Sequence, residues 1–477
     1  MTQAATSEAH GEHQTTQADN RYTKKIAQFV SGLTYEKIPA EVRHRIKLLI
    51  LDSIGCGIYG STKHHSQLAI EAITAVDESR SCGLWGTDKR VSAPHAALLN
   101  GTMVQGFELD DIHRKGAMHI GPTTLPAIVA LSEARGGMTG KRFITAAVAG
   151  YEVGPRVGMC MGPDHLGQGW HSGATVGAFA GAASSAAALG LSEESTIDAL
   201  GIAGTFTGGI MAVQYGAMVK RMNHGRSAQN GLYAGMLASV GYTGIKNVFE
   251  SEYGGFCTTF SRKREWIKWE ELTRGLGEHW ETMYDSLKFY SAAASNHSTL
   301  DAIRLMRERR PFTADEVEKI VVHGSQVTKD HVFWKYEPSG STNMQFCMPY
   351  VVATLLLEGD FFVDQCDESK MADPQRIAHS RKVEFIAEPE ITRMGNRYYV
   401  RVEVFLKDGT RMEETVEAQR GSESRFASDA EIIEKFEKLV KHVLPQKQVA
   451  EIRDTILGME QMDDAAKLAK LLVKAGR

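Results

Sequence analysis

Apolar residues recur at helical spacing through most of the first 285 positions of this chain. Residues 26–33 and 42–54 place Ile, Leu, Val and Phe three and four positions apart, with Ile38-Pro39 between the two segments. Ser192 followed by two glutamates predicts a further helix start. Other segments with helical spacing are 92–102, 125–135, 141–157 and 227–242. Because no convincing strand alternation interrupts them, we expect residues 21–285 to form a helical domain.

The segment from Gly173 to Leu191 is the one stretch with a membrane-like apolar run. It contains Ala, Gly and Ser more than Leu, Ile and Val, so it is weakly hydrophobic and allows close approach of neighbouring backbones. We therefore predict a buried helix at the centre of a bundle and no interaction with a membrane.

The pattern changes after residue 285. Val317–Val327 is rich in β-branched residues, and Arg397–Glu417 is typical of a hairpin that turns at Asp408-Gly409. Between them, Asn343–Glu358 has helical spacing. Residues 286–424 are therefore predicted to form a small α+β domain.

Helical signals return towards the C-terminus. Ser428-Asp429-Ala430-Glu431 is a capping-box sequence, and Val449–Lys474 continues the helical pattern. We assign residues 425–477 to the helical domain again. The predicted fold class is therefore mainly α, with a large all-helical domain and an inserted smaller α+β domain. Residues 1–20 are polar and lack the apolar core of a secretory signal, which predicts a disordered tail.

The composition limits the possible functions. A chain of 477 residues exceeds one compact core and predicts at least two domains. A hydrophobic fraction of 43% is ordinary for a globular protein, and a formal net charge of -4 gives no reason to expect nucleic acid, so a small-molecule ligand is favoured. The six cysteines form no CxxC pair, which argues against a zinc ribbon or iron–sulfur site and indicates reduced thiols in the cytoplasm.

Titratable residues crowd into segment 108–126. They are Glu108, Asp110, Asp111, His113, Arg114, Lys115 and His119. Gly116 and Gly121-Pro122 interrupt the segment, so it is not one regular helix. Carboxylates beside imidazoles shift each other's pKa values, as proton transfer near neutral pH requires, whereas the alternative is a solvated loop. The paired acids and a histidine are a weak signal for a metal site, and chemistry without a cofactor is the simpler interpretation.

Two later segments favour a functional site. His171 precedes the Ala/Gly helix, and an imidazole at a helix N-terminus can bind or protonate a carboxylate, although it can also cap the helix locally. Lys220 and Arg221 lie in an otherwise small and apolar segment. If buried, they require an anionic ligand, an internal salt bridge to Asp110 or Asp111, or both.

Four motifs together resemble the MmgE/PrpD family, which includes 2-methylcitrate dehydratase, cis-aconitate decarboxylase and iminodisuccinate epimerase. They are most similar to the fungal cis-aconitate decarboxylase branch. The motifs are Glu108-Leu109-Asp110-Asp111 followed by His119, Gly169-Trp170-His171-Ser172-Gly173, Gln214-Tyr215-Gly216 with Lys220-Arg221 and His224-Gly225, and Tyr253-Gly254-Gly255-Phe256. The resemblance implies that the α+β domain is a lid, that the protein is a homodimer, and that a metal-free site between the domains receives a small di- or tricarboxylate.

The resemblance also implies site residues. The predicted catalytic residues are Asp110, Asp111, His119, His171 and Lys220, and the predicted substrate-binding residues are Arg221, His224, His297, Tyr336 and His113. The chain departs from the family at Ile112, where many members have Thr, and in 291–297, which lacks the cysteines of close decarboxylases. Tyr336 is a loose match for the lid tyrosine of some members.

These residues predict a cofactor-independent lyase, with decarboxylation ahead of dehydration. Lys220, His171 and Arg221 would hold carboxylates, and His119, oriented by one of the paired aspartates, would protonate the allylic carbanion left by loss of CO2. Removal of a proton with expulsion of hydroxide would make the enzyme a dehydratase, and return of the proton to the other face an epimerase. A non-catalytic carboxylate-binding or scaffold protein is the remaining alternative, which the presence of the charged residues disfavours.

Overall fold

The computed structural model describes residues 21–162, 164–215 and 217–474, so the tail predicted over 1–20 lies outside the described residues. Helices dominate, which confirms the mainly α prediction. They are α1 Arg21–Gly32, α2 Ala40–Gly60, α3 His64–Thr74, α4 Ala93–Val104, α5 Gly121–Arg135, α6 Gly140–Met161, α7 Asp164–Gly167, α8 Ser172–Thr175, α9 Gly177–Leu189, α10 Glu193–Phe206, α11 Val219–Ala238, α12 Phe256–Phe260, α13 Ala294–Arg309, α14 Gln326–Val332, α15 Ser341–Phe346, α16 Met348–Glu358, α17 Pro374–Ser380, α18 Pro389–Arg393, α19 Asp429–Val440, α20 Gln446–Leu457 and α21 Ala466–Leu471.

The described residues contain eight strands in three sheets. They are β1 Cys82–Gly83, β2 Arg90–Val91, β3 Ile112–His113, β4 Asp285–Ser286, β5 Val317–Gly324, β6 Val383–Ala387, β7 Val400–Leu406 and β8 Arg411–Val416. The largest sheet has the order β6-β5-β7-β8, in which β5 pairs parallel with β6 and antiparallel with β7. The short pair β3–β4 lies in the region predicted to be free of strands and joins the segment after Glu108 to the start of the α+β insertion.

The buried helix predicted from the Ala/Gly/Ser run is present as α9. It packs against α11 with almost no side chain between the two backbones, since a Cβ on Gly231 would lie 2.3 Å from the carbonyl carbon of Gly181. In the part of the chain that the structure describes, no helix is long and apolar enough to cross a membrane.

The C-terminal helices pack on the N-terminal ones. Phe436 of α19 lies against α2, 3.0 Å from the position that a Cβ on Gly55 would take. Buried residues of 427–472 share one hydrophobic core with those of 26–289, and a second core lies within 290–416. The fold is therefore a helical body built from both ends of the chain with an inserted α+β body, which we call the lid. The domain boundaries at residues 286 and 424 stay a prediction.

Three local boundaries differ from the sequence expectations. The helix expected from Ser227 begins at Val219, so Lys220 and Arg221 lie in its first turn. The strand expected to run to Val327 ends at Gly324, because Ser325 caps the next helix through its side chain. The helix expected over 343–358 is divided into α15 and α16.

Candidate active site

The loop between α4 and α5 carries most of the predicted titratable residues. Two backbone hydrogen bonds between His113 and Met118, at 2.9 and 3.3 Å, hold it as a tight turn. Glu108 adopts a φ of +60°, a left-handed conformation that costs energy in a residue with a Cβ. Strong contacts of the Glu108 side chain offset this cost.

Glu108 lies at the centre of a buried ion cluster. Its Oε1 accepts hydrogen bonds from Lys220 Nζ and Arg221 Nη1, both at 2.5 Å, and its Oε2 accepts one from Lys288 Nζ at 3.2 Å. Burial alone would raise the pKa of Glu108, but the three cations outweigh it and hold that pKa well below its ordinary value. Lys220 and Arg221 pair with Glu108 and not with Asp110 or Asp111, so the predicted salt bridge to those aspartates was wrong.

The ion cluster carries three cationic side chains against one carboxylate. Lys288 is 2% exposed and Arg221 is 6% exposed, so water does little to screen the excess positive charge. Burial lowers the pKa of Lys220, while the carboxylate of Glu108 opposes that shift. A ligand with two carboxylates has the charge that balances this cluster.

Three imidazoles stand beside the ion cluster. The ring centroid of His224 lies 5.1 Å from that of His119 and 5.2 Å from that of His171. Residue 173 must be glycine for this packing, because a Cβ there would lie 2.1 Å from His224 Nε2. Burial, assisted by the charges of Lys220 and His119, lowers the pKa of His171 to about 3. Burial also lowers the pKa of His224 well below its ordinary value, so both rings are neutral near pH 7.

His119 is fixed from one side of its ring. Its Nδ1 lies 2.6 Å from the main-chain O of Asp111 and 2.9 Å from Oδ2 of Asp110. Two acceptors at Nδ1 assign a proton to that atom and leave Nε2 to exchange a proton with a ligand. The side chain of His119 is 16% exposed, which makes it the most accessible of the three imidazoles.

The lid reaches the ion cluster through Gln345. Its amide nitrogen donates to the main-chain O of Phe107 at 2.8 Å, and its side-chain O accepts from Arg221 Nη2 at 3.5 Å. The neighbouring Phe346 ring has its centroid 5.1 Å from Lys220 Nζ. A cavity of about 630 Å³ opens where the helical body meets the lid. Lys220, Arg221 and Gln345 are among its lining residues.

Four predicted residues have their polar atoms engaged outside the ion cluster. They are Asp111, His113, His297 and Tyr336. Asp111 accepts from Gly121 N–H and Tyr151 OH, and the ring of His113 contacts Glu281 Oε2. The ring of His297 contacts the main-chain O of Ala292, and Tyr336 OH donates to the main-chain O of Met371. The structure brings the other six predicted residues together, and ligand contact by these four stays a prediction.

Sequence reasoning did not find the central role of Glu108, nor Lys288 and Gln345. Glu108 was recognised only as one of several charges in its segment. Lys288 is 180 positions away from it, and its one signal is a lysine between Leu287 and Phe289, where an apolar residue would be ordinary. Gln345 carries no local signal, because its importance comes from contacts across the two bodies.

Comparison with known proteins covers nearly the whole chain. The MmgE/PrpD N-terminal domain matches residues 24–267 and the MmgE/PrpD C-terminal domain matches residues 290–461. The chain is 34% identical to the cis-aconitate decarboxylase-like protein oryM of Aspergillus oryzae, over 95% of this chain and 98% of that one. It is also 34% identical to a cis-aconitate decarboxylase of Aspergillus terreus, over 95% and 96%. Identity to the mitochondrial 2-methylcitrate dehydratase of Yarrowia lipolytica is 21%, over 90% and 86%.

Proposed function

Because the chain belongs to the MmgE/PrpD family, we propose that it is a lyase that decarboxylates cis-aconitate or a related unsaturated di- or tricarboxylate. The observation that carries this proposal is the buried ion cluster, in which Lys220, Arg221 and Lys288 share one carboxylate beside the imidazoles. A substrate with several carboxylates provides negative charge for these cations, and charge-assisted hydrogen bonds are stronger in a site that excludes water.

The proposed reaction has one bond cleavage and one proton transfer. The bond between the departing carboxylate and its carbon breaks, CO2 leaves, and the electron pair remains on the substrate as an allylic carbanion. His119 gives the proton on Nε2 to that carbon, and water restores it. The Asp110 carboxylate, 2.9 Å from Nδ1, holds the ring in the orientation that leaves Nε2 for this transfer.

The neutral rings of His171 and His224 support the assignment of His119 as the proton donor. Their pKa values are lowered by burial, so they do not compete with His119 as proton donors near neutral pH. A neutral imidazole still donates one hydrogen bond and accepts another, which suits the carbonyl and hydroxyl oxygens of a polycarboxylate.

A hydro-lyase acting on 2-methylcitrate is the second candidate, and the similarity to the Yarrowia lipolytica dehydratase favours it. The same groups could remove a proton next to a carboxylate and protonate a departing hydroxyl. An epimerase would use the same base and return the proton to the opposite face.

A proton NMR time course in deuterated water tests the proposal. EDTA-treated protein is incubated separately with cis-aconitate and with 2-methylcitrate, and itaconate carrying one deuterium is the expected product of the first. Loss of water without CO2 would assign the dehydratase, and deuterium exchange without net conversion would assign the epimerase. No reaction with either, from folded protein, would contradict the lyase proposal.

Independence from metal is part of the proposal. Within the described ranges, no group of three or more His, Cys, Asp or Glu side chains is arranged as a metal site. Activity is therefore expected to survive EDTA, and activity that is lost with EDTA and restored by a divalent cation would contradict this part.

The protein is further proposed to be a homodimer in the cytoplasm. Of the fourteen exposed large apolar side chains in the described part of the chain, nine lie between Phe206 and Tyr253, and Val240 is 79% exposed. Such a concentration supports contact with a second copy. The six cysteines are all free, which supports a reducing compartment. Light scattering is expected to show a dimer for the native protein and a monomer for Val240→Glu, and a monomeric native protein would refute the assignment.

A further inference from the structure

A second group of acids lies behind His119. Asp52, Asp110, Asp111 and Asp285 are each at most 1% exposed, and they come from α2, the loop before α5, and β4. Four buried carboxyl groups cannot all ionise unless cations match them, because burial disfavours the charged form.

Two of these acids have cationic partners or a partner that can become cationic. Lys435 of α19 lies 2.5 Å from Asp52 Oδ1, and the ring of His119 lies 2.9 Å from Asp110. The remaining two, Asp111 and Asp285, lie within reach of a hydrogen bond, because β4, which carries Asp285, pairs with β3 directly after Asp111. Two carboxyl groups can make that bond only when one of them carries a proton.

The hydrogen-bond donors around the remaining pair show which acid carries the proton. Asp111 Oδ2 accepts from the Gly121 main-chain N–H and from Tyr151 OH, both at 2.9 Å. Gly121 is the first residue of α5, and the N-terminal end of a helix favours negative charge. Asp285 has the main-chain N–H of Ser286 beside it, but neither of its oxygens has a well-aligned donor among the described residues. Asp111 is therefore the ionised partner and Asp285 the neutral acid.

We propose that Asp285 is a positioning residue that stays protonated and donates a hydrogen bond to Asp111, so that the main-chain carbonyl of Asp111 holds Nδ1 of His119. The last contact in this series measures 2.6 Å. The inference rests on the role of His119 in the proposed function. Because β4 directly precedes the lid, the same hydrogen bond connects the start of the lid to the proton donor.

The surroundings of the pair agree with a neutral Asp285. Burial raises the pKa of Asp285 well above its ordinary value, and the negative charge of Asp111 raises it further. The other charged or titratable side chains that face the two acids are Asp52 and Arg45 on α2, Asp110 and His119 on the loop, and Tyr151 on α6.

Two substitutions at Asp285 test the assignment with cis-aconitate as substrate. Asp285→Asn keeps a neutral donor, so it is expected to retain most of the kcat. Asp285→Ala removes the donor, and its kcat is expected to fall about 10- to 100-fold with little change in KM, because the carboxylate-binding cations are elsewhere. Asp77→Ala is the matched control, since Asp77 is a largely buried carboxylate that accepts from Ser92 N–H and His95 and makes no bond to the loop between α4 and α5.

Two spectroscopic measurements do not depend on turnover. Burial raises the pKa of Asp52 to about 6, so the infrared spectra are recorded at pH 8, where Asp52 is ionised. An infrared band of a protonated carboxyl group is expected there in the native protein and absent in Asp285→Asn. Nitrogen-15 NMR is expected to show the His119 proton on Nδ1 in the native protein, in Asp285→Asn and in Asp77→Ala, and a mixture of tautomers in Asp285→Ala.

The outcomes separate this inference from the proposed reaction. An Asp285→Ala protein with unchanged kcat and tautomer would overturn the positioning role, and so would an infrared band that persists in Asp285→Asn. If no polycarboxylate is turned over but both spectra respond as expected, the positioning role of Asp285 stands and the proposed reaction fails.

Discussion

Glu108 affects the site more than any one of its three cations does, because it is the acceptor that they share. Glu108→Gln would leave Lys220, Arg221 and Lys288 without a carboxylate in a buried setting, and the free energy of unfolding at pH 7 is expected to drop by about 3–5 kcal/mol. Urea denaturation measures this. Lys288→Met removes one cation and keeps the acceptor, so it should cost less, and an equal loss in both variants would contradict the shared-acceptor interpretation.

The same residue gives the protein a defined acid sensitivity. The pKa of Glu108 is lowered in the folded protein, so its contribution to stability is complete above the unfolded value of about 4.3 and is lost as pH falls through the lower folded value. The unfolding free energy of Glu108→Gln should therefore depend less steeply on pH below about 4. A slope identical to that of the native protein would show that the Glu108 pKa is not lowered.

His171 acts on stability over a higher pH window. Its pKa is about 3 in the folded protein, where burial keeps it neutral, and about 6.5 in an unfolded chain. The unfolded state therefore binds more protons between these values, and stability decreases as pH falls through that window, by about 2 kcal/mol at pH 5. His171→Asn is expected to narrow the stability difference between pH 8 and pH 5 by that amount. Denaturation curves at the two pH values measure it, and an unchanged difference would contradict the lowered pKa.

At the scale of the residue, the sequence predicted which charged side chains belong to the site but not which of them pair with each other. Lys220 and Arg221 could be recognised as largely buried cations because their neighbours are small and apolar. The partner of these cations could not be chosen among the nearby acids, since it depends on the left-handed backbone conformation of Glu108. No residue type in the sequence predicts that conformation.

At the scale of the elements, the close packing of α9 against α11 requires glycine at their contact, because a side chain would not fit between the two backbones. Gly231→Val would place a Cβ 2.3 Å from the Gly181 carbonyl carbon, and backbone atoms cannot move aside as a flexible side chain can. The unfolding free energy is expected to fall by about 3 kcal/mol or more. The control is Gly208→Ala, where no atom lies within 4 Å of the new Cβ, and thermal denaturation of both variants makes the comparison. Equal stability of the two would refute close contact of the helices.

Elements with strong local signals were predicted correctly. The hairpin of β7 and β8 turns at Asp408-Gly409, and Ser428 forms the predicted capping box of α19. The start of α11 was missed because Met218 precedes it without a side-chain cap, so no residue type marks the boundary. The pair β3–β4 was missed because two residues are too few to show an alternation.

At the scale of the whole molecule, Gln345 joins the lid to the helical body at the site. Gln345→Leu removes its bonds to Phe107 and Arg221, and KM for cis-aconitate is expected to rise about tenfold with a smaller change in kcat. Gln326→Leu is the control, because Gln326 is an exposed lid glutamine that bonds to Asp330. Steady-state kinetics make the test, and a loss confined to kcat would indicate a role in the chemical step instead.

The order of patterns along the chain predicted an insertion between two helical parts, and the two hydrophobic cores of the structure are arranged in that way. The position of the lid over the site could not be predicted in the same manner. It depends on a few contacts between distant residues such as Gln345 and Phe107, which hydrophobic periodicity does not record.

The bond of Lys435 to the loop has a consequence for biosynthesis. Its ammonium group donates to the main-chain O of Leu109 at 2.8 Å, across 326 positions of the chain, and it pairs with Asp52 of α2. A ribosome delivers Leu109 long before Lys435, so the nascent N-terminal half emerges without the residue that holds the loop between α4 and α5. Contacts of such long sequence separation form slowly and leave apolar surface exposed in the meantime. The newborn chain therefore has to keep this half from aggregating until its last helices have been translated.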